Sequence, residues 1–138
     1  MLEKDSLVAI RDIQPADRNF ILATWLRGLR FGNDWFQEIE KTVYFTVYQQ
    51  VVDTIISDSS NTIKVACLKE DPEVILGYSV YAGERLDWVF VKKAWRGIGI
   101  AKSLIPSGIT TVSHLTKTGK SIMHKSMKGA HFNPFSIR

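Results

Sequence analysis

The feature that most constrains this chain is a pair of glycines between an apolar strand pattern and a helix pattern. The apolar run Trp88-Val89-Phe90-Val91 precedes the segment Arg96-Gly97-Ile98-Gly99-Ile100-Ala101, and a helical pattern follows directly. Two glycines separated by one residue let a backbone approach an anion closely, and the N–H groups at the start of a helix donate to phosphate oxygens. The segment therefore predicts a phosphate-binding turn, with a plain tight turn as the alternative.

Other phosphate and metal motifs fail at single positions. A dinucleotide-binding G-x-G-x-x-G needs a small residue where Lys102 stands, and a Walker A loop ending at Gly119 needs a glycine where His114 stands. Cys67 is the only cysteine, which excludes an internal disulfide and a cysteine-based zinc site. The three histidines lack the spacing of metal ligands: His114, His124 and His131. We therefore expect no metal.

Size and charge narrow the class of protein. A chain of 138 residues with 45% apolar side chains suits one domain, residues 1–138, with its own core. Its apolar runs are far shorter than the ~20 residues of a membrane span, and its beginning lacks an apolar leader, so we expect a cytoplasmic protein and no membrane partner. The net charge of +4 suits an anionic partner, although few aromatic residues interleave the late basic ones, so nucleic acid is not expected. Those basic residues are Lys117, Lys120, Lys125, Lys128 and Arg138.

Hydrophobic periodicity predicts the order of elements along the chain. Apolar spacing of three and four residues indicates two helices before residue 58, and alternation with a period of two indicates three strands between residues 62 and 91. The remaining expectations are strands at residues 7–11 and 110–115, helices at 101–105 and 121–127, and an extended segment at 131–137. The order β-αα-βββ-α-β-α-β predicts an α/β fold, a mixed sheet with helices on both faces.

The segment from Val91 to Ala101 resembles the acetyl-CoA motif of the Gcn5-related N-acetyltransferase (GNAT) superfamily. That motif is a strand ending in valine, then an aromatic residue, then R-G-x-G-x-A/G. Residues 74–78 are similar to the preceding strand of the family, and residues 7–29 to its opening strand and helix. The resemblance covers about residues 7–115 and implies a GNAT-like, mostly antiparallel central sheet.

A narrower resemblance concerns the source of the chain. Residues 24–27, 91–93 and 133–135 also look like segments of small acetyltransferase-like proteins of tailed bacteriophages. That likeness implies a location in the host cytoplasm or in the virion.

The family resemblance implies a reaction and a set of site residues. Acetyl-CoA would be the co-substrate, without a metal, and an unidentified primary amine would attack the thioester directly. Val89 and Val91 would offer backbone groups to the pantetheine arm, and Asp87, which alternates with them, matches a position where some members carry an acidic base. A charge at the strand edge is the alternative for Asp87. The pyrophosphate would lie against Arg96, Gly97, Ile98, Gly99, Ile100 and Ala101.

The sequence departs from the family pattern near its C-terminal end. Many members protonate the leaving thiolate with a tyrosine there, whereas no tyrosine follows Tyr81 in this chain. His131 or His114 is the alternative acid, and the alternative function is a binding or phage virion-associated protein that keeps the fold without the reaction. Among the aromatic residues near the acceptor cleft, we expect Trp25 and Tyr44 in the core and Trp35 exposed.

Overall fold

The computed structural model describes residues 7–127 and 129–136, whose strands form one six-stranded sheet. The strands are β1 (Val8–Asp12), β2 (Thr62–Leu68), β3 (Ile75–Ala82), β4 (Arg85–Val91), β5 (Thr111–Val112) and β6 (His131–Phe132). The helices are α1 (Arg18–Phe31), α2 (Asp34–Gln37), α3 (Lys41–Ser57), α4 (Ile100–Leu104) and α5 (Lys117–Ser126). Lys128 and Arg138, the residues before Leu7 and the end of the expected segment 131–137 lie outside the described residues.

The strands lie side by side in chain order, β1 to β6. The first four pair antiparallel, whereas β5 pairs parallel with both β4 and β6. The predicted mixed, mostly antiparallel sheet is therefore confirmed, with the short α2 as an added element. Helix α5 begins at Lys117 and not at Ser121, because the side chain of Thr116 accepts a hydrogen bond from Gly119 N–H at 3.0 Å and caps the first turn.

One face of the sheet is covered by α1 and α3. Apolar side chains recur along α1 at helical spacing, so Ile21 and Trp25 are fully buried, and Trp25 stacks on Trp88 of β4 with ring centroids 5.5 Å apart. In α3 the buried Tyr44 donates its hydroxyl hydrogen to the carbonyl of Leu26 at 2.6 Å. The core positions predicted for Trp25 and Tyr44 are confirmed.

The opposite face is covered by α4 and α5. Ile100 and Leu104 of α4 pack in a second apolar cluster with Val91, and Ser79 of β3 donates its hydroxyl hydrogen to the carbonyl of Leu104 at 2.8 Å. Met123 of α5 belongs to a third cluster with residues of β4 and β5. Within the described ranges, none of the helices is both long enough and apolar enough to cross a membrane.

Strand β4 contains a bulge at Asp87. Tyr81 of β3 lies opposite Leu86 and the preceding Val80 lies opposite Trp88, so Asp87 has no counterpart. Leu86 packs in the third cluster near Val89, whereas Trp88 packs under α1, so the alternation of faces does not run through the bulge. Asp87 and Val89 nevertheless line the same small cavity, and the shared face expected for Asp87, Val89 and Val91 stays a prediction.

Gly77 of β3 lies close against the backbone of β4 and provides a test of the packing. A Cβ atom at this position would lie 2.4 Å from the carbonyl oxygen of Phe90, which is backbone and has little freedom to move. We expect Gly77→Ala to lower the free energy of unfolding by about 1–3 kcal/mol, as overpacking typically does. Urea denaturation measures the change, and an unaltered midpoint would contradict this description of the strand pair.

Candidate functional site

A cleft opens where β4 and β5 diverge. The parallel ladder consists of Arg85 opposite Thr111 and Leu86 opposite Val112, followed by one further bond from Ser113 N–H to Leu86 C=O at 3.0 Å. Beyond that point, the edge of β4 on this side has no strand partner among the described residues. The cleft has a volume of about 490 Å³. It is lined by most of the predicted cofactor residues: Val89, Val91, Arg96, Gly97, Gly99, Ile100 and Ala101.

The backbone of β4 directs polar groups into this cleft. Lys92 N–H donates to Leu76 C=O of β3 at 2.8 Å. Alternate residues of an antiparallel strand bond the same neighbour, so Phe90 also bonds β3, whereas Val89 and Val91 turn their N–H and C=O groups to the open edge. That edge can therefore pair with an extended ligand that carries amide groups.

The loop at residues 96–101 brings a row of backbone N–H groups to the cleft. Gly97 and Gly99 have φ angles of 86° and 92°, a region that only glycine enters at little cost. Helix α4 begins after Gly99, which has no side chain to accept from the N–H groups of the first helical turn. Arg96 donates from Nε to the carbonyl of Val91 at 2.8 Å, which ties the loop to the end of β4. Such a row of oriented donors can bind an anion.

Ile98 alone among the predicted cofactor residues is not one of the described residues that line the cleft. Its half-buried side chain packs in the apolar cluster of α4. Ile98 therefore anchors the loop.

Two glycines of α1 allow the helix to close the far side of the cleft. A Cβ atom at Gly28 would lie 3.0 Å from Cζ2 of Trp88, and one at Gly32 would lie 2.7 Å from Cγ2 of Thr116. Lys117 N–H also donates to Gly32 C=O at 3.2 Å, which joins the end of α1 to the start of α5. The sequence analysis missed this role, although glycines four residues apart on one helix face are a visible signal.

Asp87 is one end of a buried polar chain. Its side chain is 0% exposed, and its Oδ1 accepts hydrogen bonds from Arg85 Nε and from Ser113 Oγ, each at 2.7 Å. Ser113 Oγ lies 3.0 Å from Nδ1 of His114, and Nε2 of the same imidazole lies 2.8 Å from the hydroxyl of Tyr48. The chain runs from Asp87 through Ser113 and His114 to Tyr48, and we call it the relay.

The hydrogen-bond donors in the relay follow from its end at Asp87. A carboxylate only accepts, so the single hydroxyl hydrogen of Ser113 goes to Asp87, and Ser113 Oγ must accept from Nδ1–H of His114. Nε2 of the neutral imidazole then accepts from the hydroxyl of Tyr48. Burial lowers the pKa of His114 to about 4 against the opposing charge of Asp87, and burial raises the pKa of Tyr48. Both groups are therefore neutral near pH 7.

The relay connects two spaces. A small cavity of about 30 Å³ next to the cleft along β4 is lined by Asp87, Val89 and His114. On its other side, a second cleft of about 530 Å³ is lined by Tyr48, His114 and several aromatic side chains, and we call it the aromatic cleft. Its Trp35 is 75% exposed, as predicted. His131, the other alternative acid, is exposed in β6.

A metal site is not formed by the described residues. Within residues 7–127 and 129–136, no three His, Cys, Asp or Glu side chains are grouped in a way that could hold a metal ion.

The fold is shared with solved bacterial structures, two of which are named as acetyltransferases. YjaB from Escherichia coli aligns with a TM-score of 0.52 and 19% identity, over 71% of this chain and 61% of its own length. An HPA2-related acetyltransferase from Corynebacterium glutamicum aligns with a TM-score of 0.50 and 17% identity, over 71% of this chain and 67% of its own length. YycN from Bacillus subtilis, a candidate acetyltransferase, aligns with 0.58 and 12% over 85% and 87%. The GNAT-like fold is confirmed.

The same comparisons have two limits. This chain spans about three fifths of the length of YjaB. Models of known families and curated proteins give no match to the sequence. The three structures named above are from bacteria, so the predicted bacteriophage origin gains no support from them.

The buried imidazole gives a pH-dependent stability. Because the pKa of His114 falls from 6.5 to about 4 on folding, the unfolded chain binds a proton more readily, and stability is lost as pH falls through this window. Between pH 6.5 and pH 4 we expect the wild-type protein to lose up to about 3 kcal/mol of its free energy of unfolding through His114, and we expect His114→Gln to abolish this loss. Urea denaturation at several pH values measures it. His131→Gln, at an exposed position, is the control and should keep the wild-type slope.

Proposed function

We propose that this chain is an N-acetyltransferase that moves the acetyl group of acetyl-CoA to a primary amine. The observation that carries the proposal is the union, in one cleft, of the open edge of β4 and the row of amides in the loop at residues 96–101. Acetyl-CoA has amide groups in its pantetheine arm and a pyrophosphate, in that order from the thioester. The likeness of the fold to solved acetyltransferases supports the same reaction class.

The bound cofactor would lie along β4. Val89 and Val91 would pair with the pantetheine amides as an added strand does, and the amides of residues 97–101 would bind the pyrophosphate. Arg96 holds the loop against Val91 C=O, and Lys102 lines the same cleft within reach of the outer phosphates. The thioester would then lie near the small cavity beside Asp87.

The relay supplies a path for the proton that the amine must lose. The neutral amine attacks the thioester carbon, the N–C bond forms, and the C–S bond breaks to release the thiolate. The amine proton passes to Tyr48 Oη while the hydroxyl proton of Tyr48 passes to Nε2 of His114. Asp87, acting through Ser113, stabilises the imidazolium. Tyr48 is then the residue that contacts the amine, and Asp87 is a positioning residue.

The leaving thiolate needs no dedicated acid. Its pKa is roughly 8.5 if a free thiol is the model, so water can protonate it. General acid assistance is typically worth ~10²–10⁴ in rate, so the missing tyrosine after Tyr81 slows the reaction without preventing it.

The same missing tyrosine favours a second candidate, a protein that binds acetyl-CoA without catalysis. A thiol-detection assay over a panel of amines decides between them. Acceptor-dependent release of CoA supports the transferase, and tight binding of acetyl-CoA without release supports the second candidate. The cytoplasmic or virion location stays a prediction.

Gly99 provides the sharpest test of the cofactor site. A Cβ atom there would meet none of the described atoms within 4 Å, so a large side chain extends into the cleft. We expect Gly99→Trp to weaken acetyl-CoA binding at least tenfold, a loss of about 1.4 kcal/mol, in calorimetry. Gly108→Trp is the matched control, because its φ of 84° imposes similar strain outside the residues described as lining the cleft. Equal affinity of folded Gly99→Trp and control would rule out the site.

Tyr48 provides the test of the proton path. Tyr48→Phe keeps the ring and removes the hydroxyl that bonds His114, so kcat should fall by roughly 10²–10⁴ while acetyl-CoA affinity stays unchanged. Tyr81→Phe, at a position that is not among the described lining residues of either cleft, should keep full kcat.

Asp87→Asn tests the far end of the relay. Asparagine keeps the shape and removes the charge that orients Ser113, so we expect a lower kcat with a changed pH profile. Full activity of the folded Asp87→Asn variant across neutral pH would show that Asp87 has no part in the proton path.

A further inference from the structure

We infer that the aromatic cleft selects a primary amine carried by an aromatic or bulky apolar group, with no second positive charge. This inference rests on the proposed function, and it names the class of acceptor that the function leaves open. It follows from the side chains that line the cleft, from their charges and from the position of Tyr48.

The wall of the aromatic cleft is suited to a flat apolar group. Trp35 and Phe135 are 75% and 83% exposed, large fractions for side chains of this size beside a cleft. The rings of Trp35 and Phe36 meet edge to face at 5.5 Å, and those of Phe36 and Tyr48 at 5.6 Å. An aromatic ligand that joins such a row gains about 0.5–1.5 kcal/mol per ring pair beyond the burial of apolar area.

The charges of the aromatic cleft disfavour a polycationic acceptor. Of the described residues that line it, none is Asp or Glu, whereas Lys117 and Lys120 lie among them. Two acids adjoin the lining residues and both are already paired: Asp34 accepts a hydrogen bond from Lys117 Nζ at 3.1 Å, and Asp87 is paired with Arg85. A polyamine or a lysine-rich peptide would therefore place its second cation beside lysines without a free carboxylate, and such like-charge contacts select against a ligand.

The position of Tyr48 fixes the direction of the acceptor. The aromatic cleft adjoins the small cavity beside Asp87 through shared lining residues, among them His114 and Thr116. The reacting nitrogen must reach this inner end, where Tyr48 and His114 meet. The apolar body then extends outward between Trp35 and Phe135.

Calorimetry with defined amines tests the inference. The probes are 2-phenylethylamine, spermidine and Nα-acetyl-lysine amide. Each is titrated into the protein alone and into the protein with CoA. We expect 2-phenylethylamine to bind at least tenfold more tightly than either cationic probe, about 1.4 kcal/mol. Equal or tighter binding of spermidine or the lysine derivative would overturn the inference.

Variants at exposed aromatic positions locate the binding. Trp35→Ala should weaken 2-phenylethylamine several-fold and leave acetyl-CoA affinity unchanged, since Trp35 belongs to the aromatic cleft and not to the described lining of the cofactor cleft. Phe31→Ala is the matched control, a 64% exposed aromatic residue that is not among the described lining of either cleft. Equal loss of amine affinity in both variants would also overturn the inference.

The two proposals fail in different ways. Amine titrations into the protein alone need neither acetyl-CoA nor turnover, so they report on the acceptor class by themselves. A protein that prefers 2-phenylethylamine but neither binds acetyl-CoA nor releases CoA refutes the proposed function and leaves the selectivity of the aromatic cleft standing.

Discussion

The buried carboxylate of Asp87 holds β4 and β5 together at the point where they separate, and the cleft along β4 opens from that point. A charge without exposure requires partners, and Asp87 has them in Arg85 of its own strand and in Ser113 just beyond β5. The parallel ladder ends at Leu86, the residue before the bulge, because the extra residue displaces the rest of β4 from its register. The bond from Ser113 to Asp87 then holds the two strands together at the vertex while their ends diverge.

Glycine has two different roles around the cleft: it allows close packing at one side and a special backbone conformation at the other. Gly28 and Gly32 bring α1 against Trp88 and Thr116, where any side chain would collide. Gly97 and Gly99 serve a different need, because they line the cleft with positive φ angles that other residues adopt only at a cost. Gly28 and Gly32 narrow the cleft, and the loop of Gly97 and Gly99 supplies it with backbone N–H donors. Neither pair therefore tolerates the residues that a helix or a turn would otherwise prefer.

Local patterns predicted the loop and most of the fold, because such features depend on neighbours in sequence. The glycine pair after an apolar strand indicated a tight turn before a helix, and alternation indicated β2 to β4. The relay was beyond such reasoning, since Tyr48, Asp87 and His114 come from three distant segments that only the packed sheet brings together. The bulge in β4 was not predicted either, because residues 86–91 fit a strictly alternating strand equally well when the neighbouring strands are unknown. The predicted start of helix α5 lies four residues after the observed one, because the prediction did not include the N-cap at Thr116.

The low pKa of His114 fits a relay more closely than it fits an isolated base. An imidazole with a pKa of about 4 stays neutral at every pH at which the amine has a useful neutral fraction, so its Nε2 is always free to accept. The same low pKa makes a lone imidazolium unfavourable, and only the carboxylate of Asp87, reached through Ser113, offsets that cost. Proton movement along the relay is therefore easiest when all of its bonds shift together. Burial weakens His114 as a free base, so the imidazole depends on its hydrogen-bonded neighbours for any proton that it accepts.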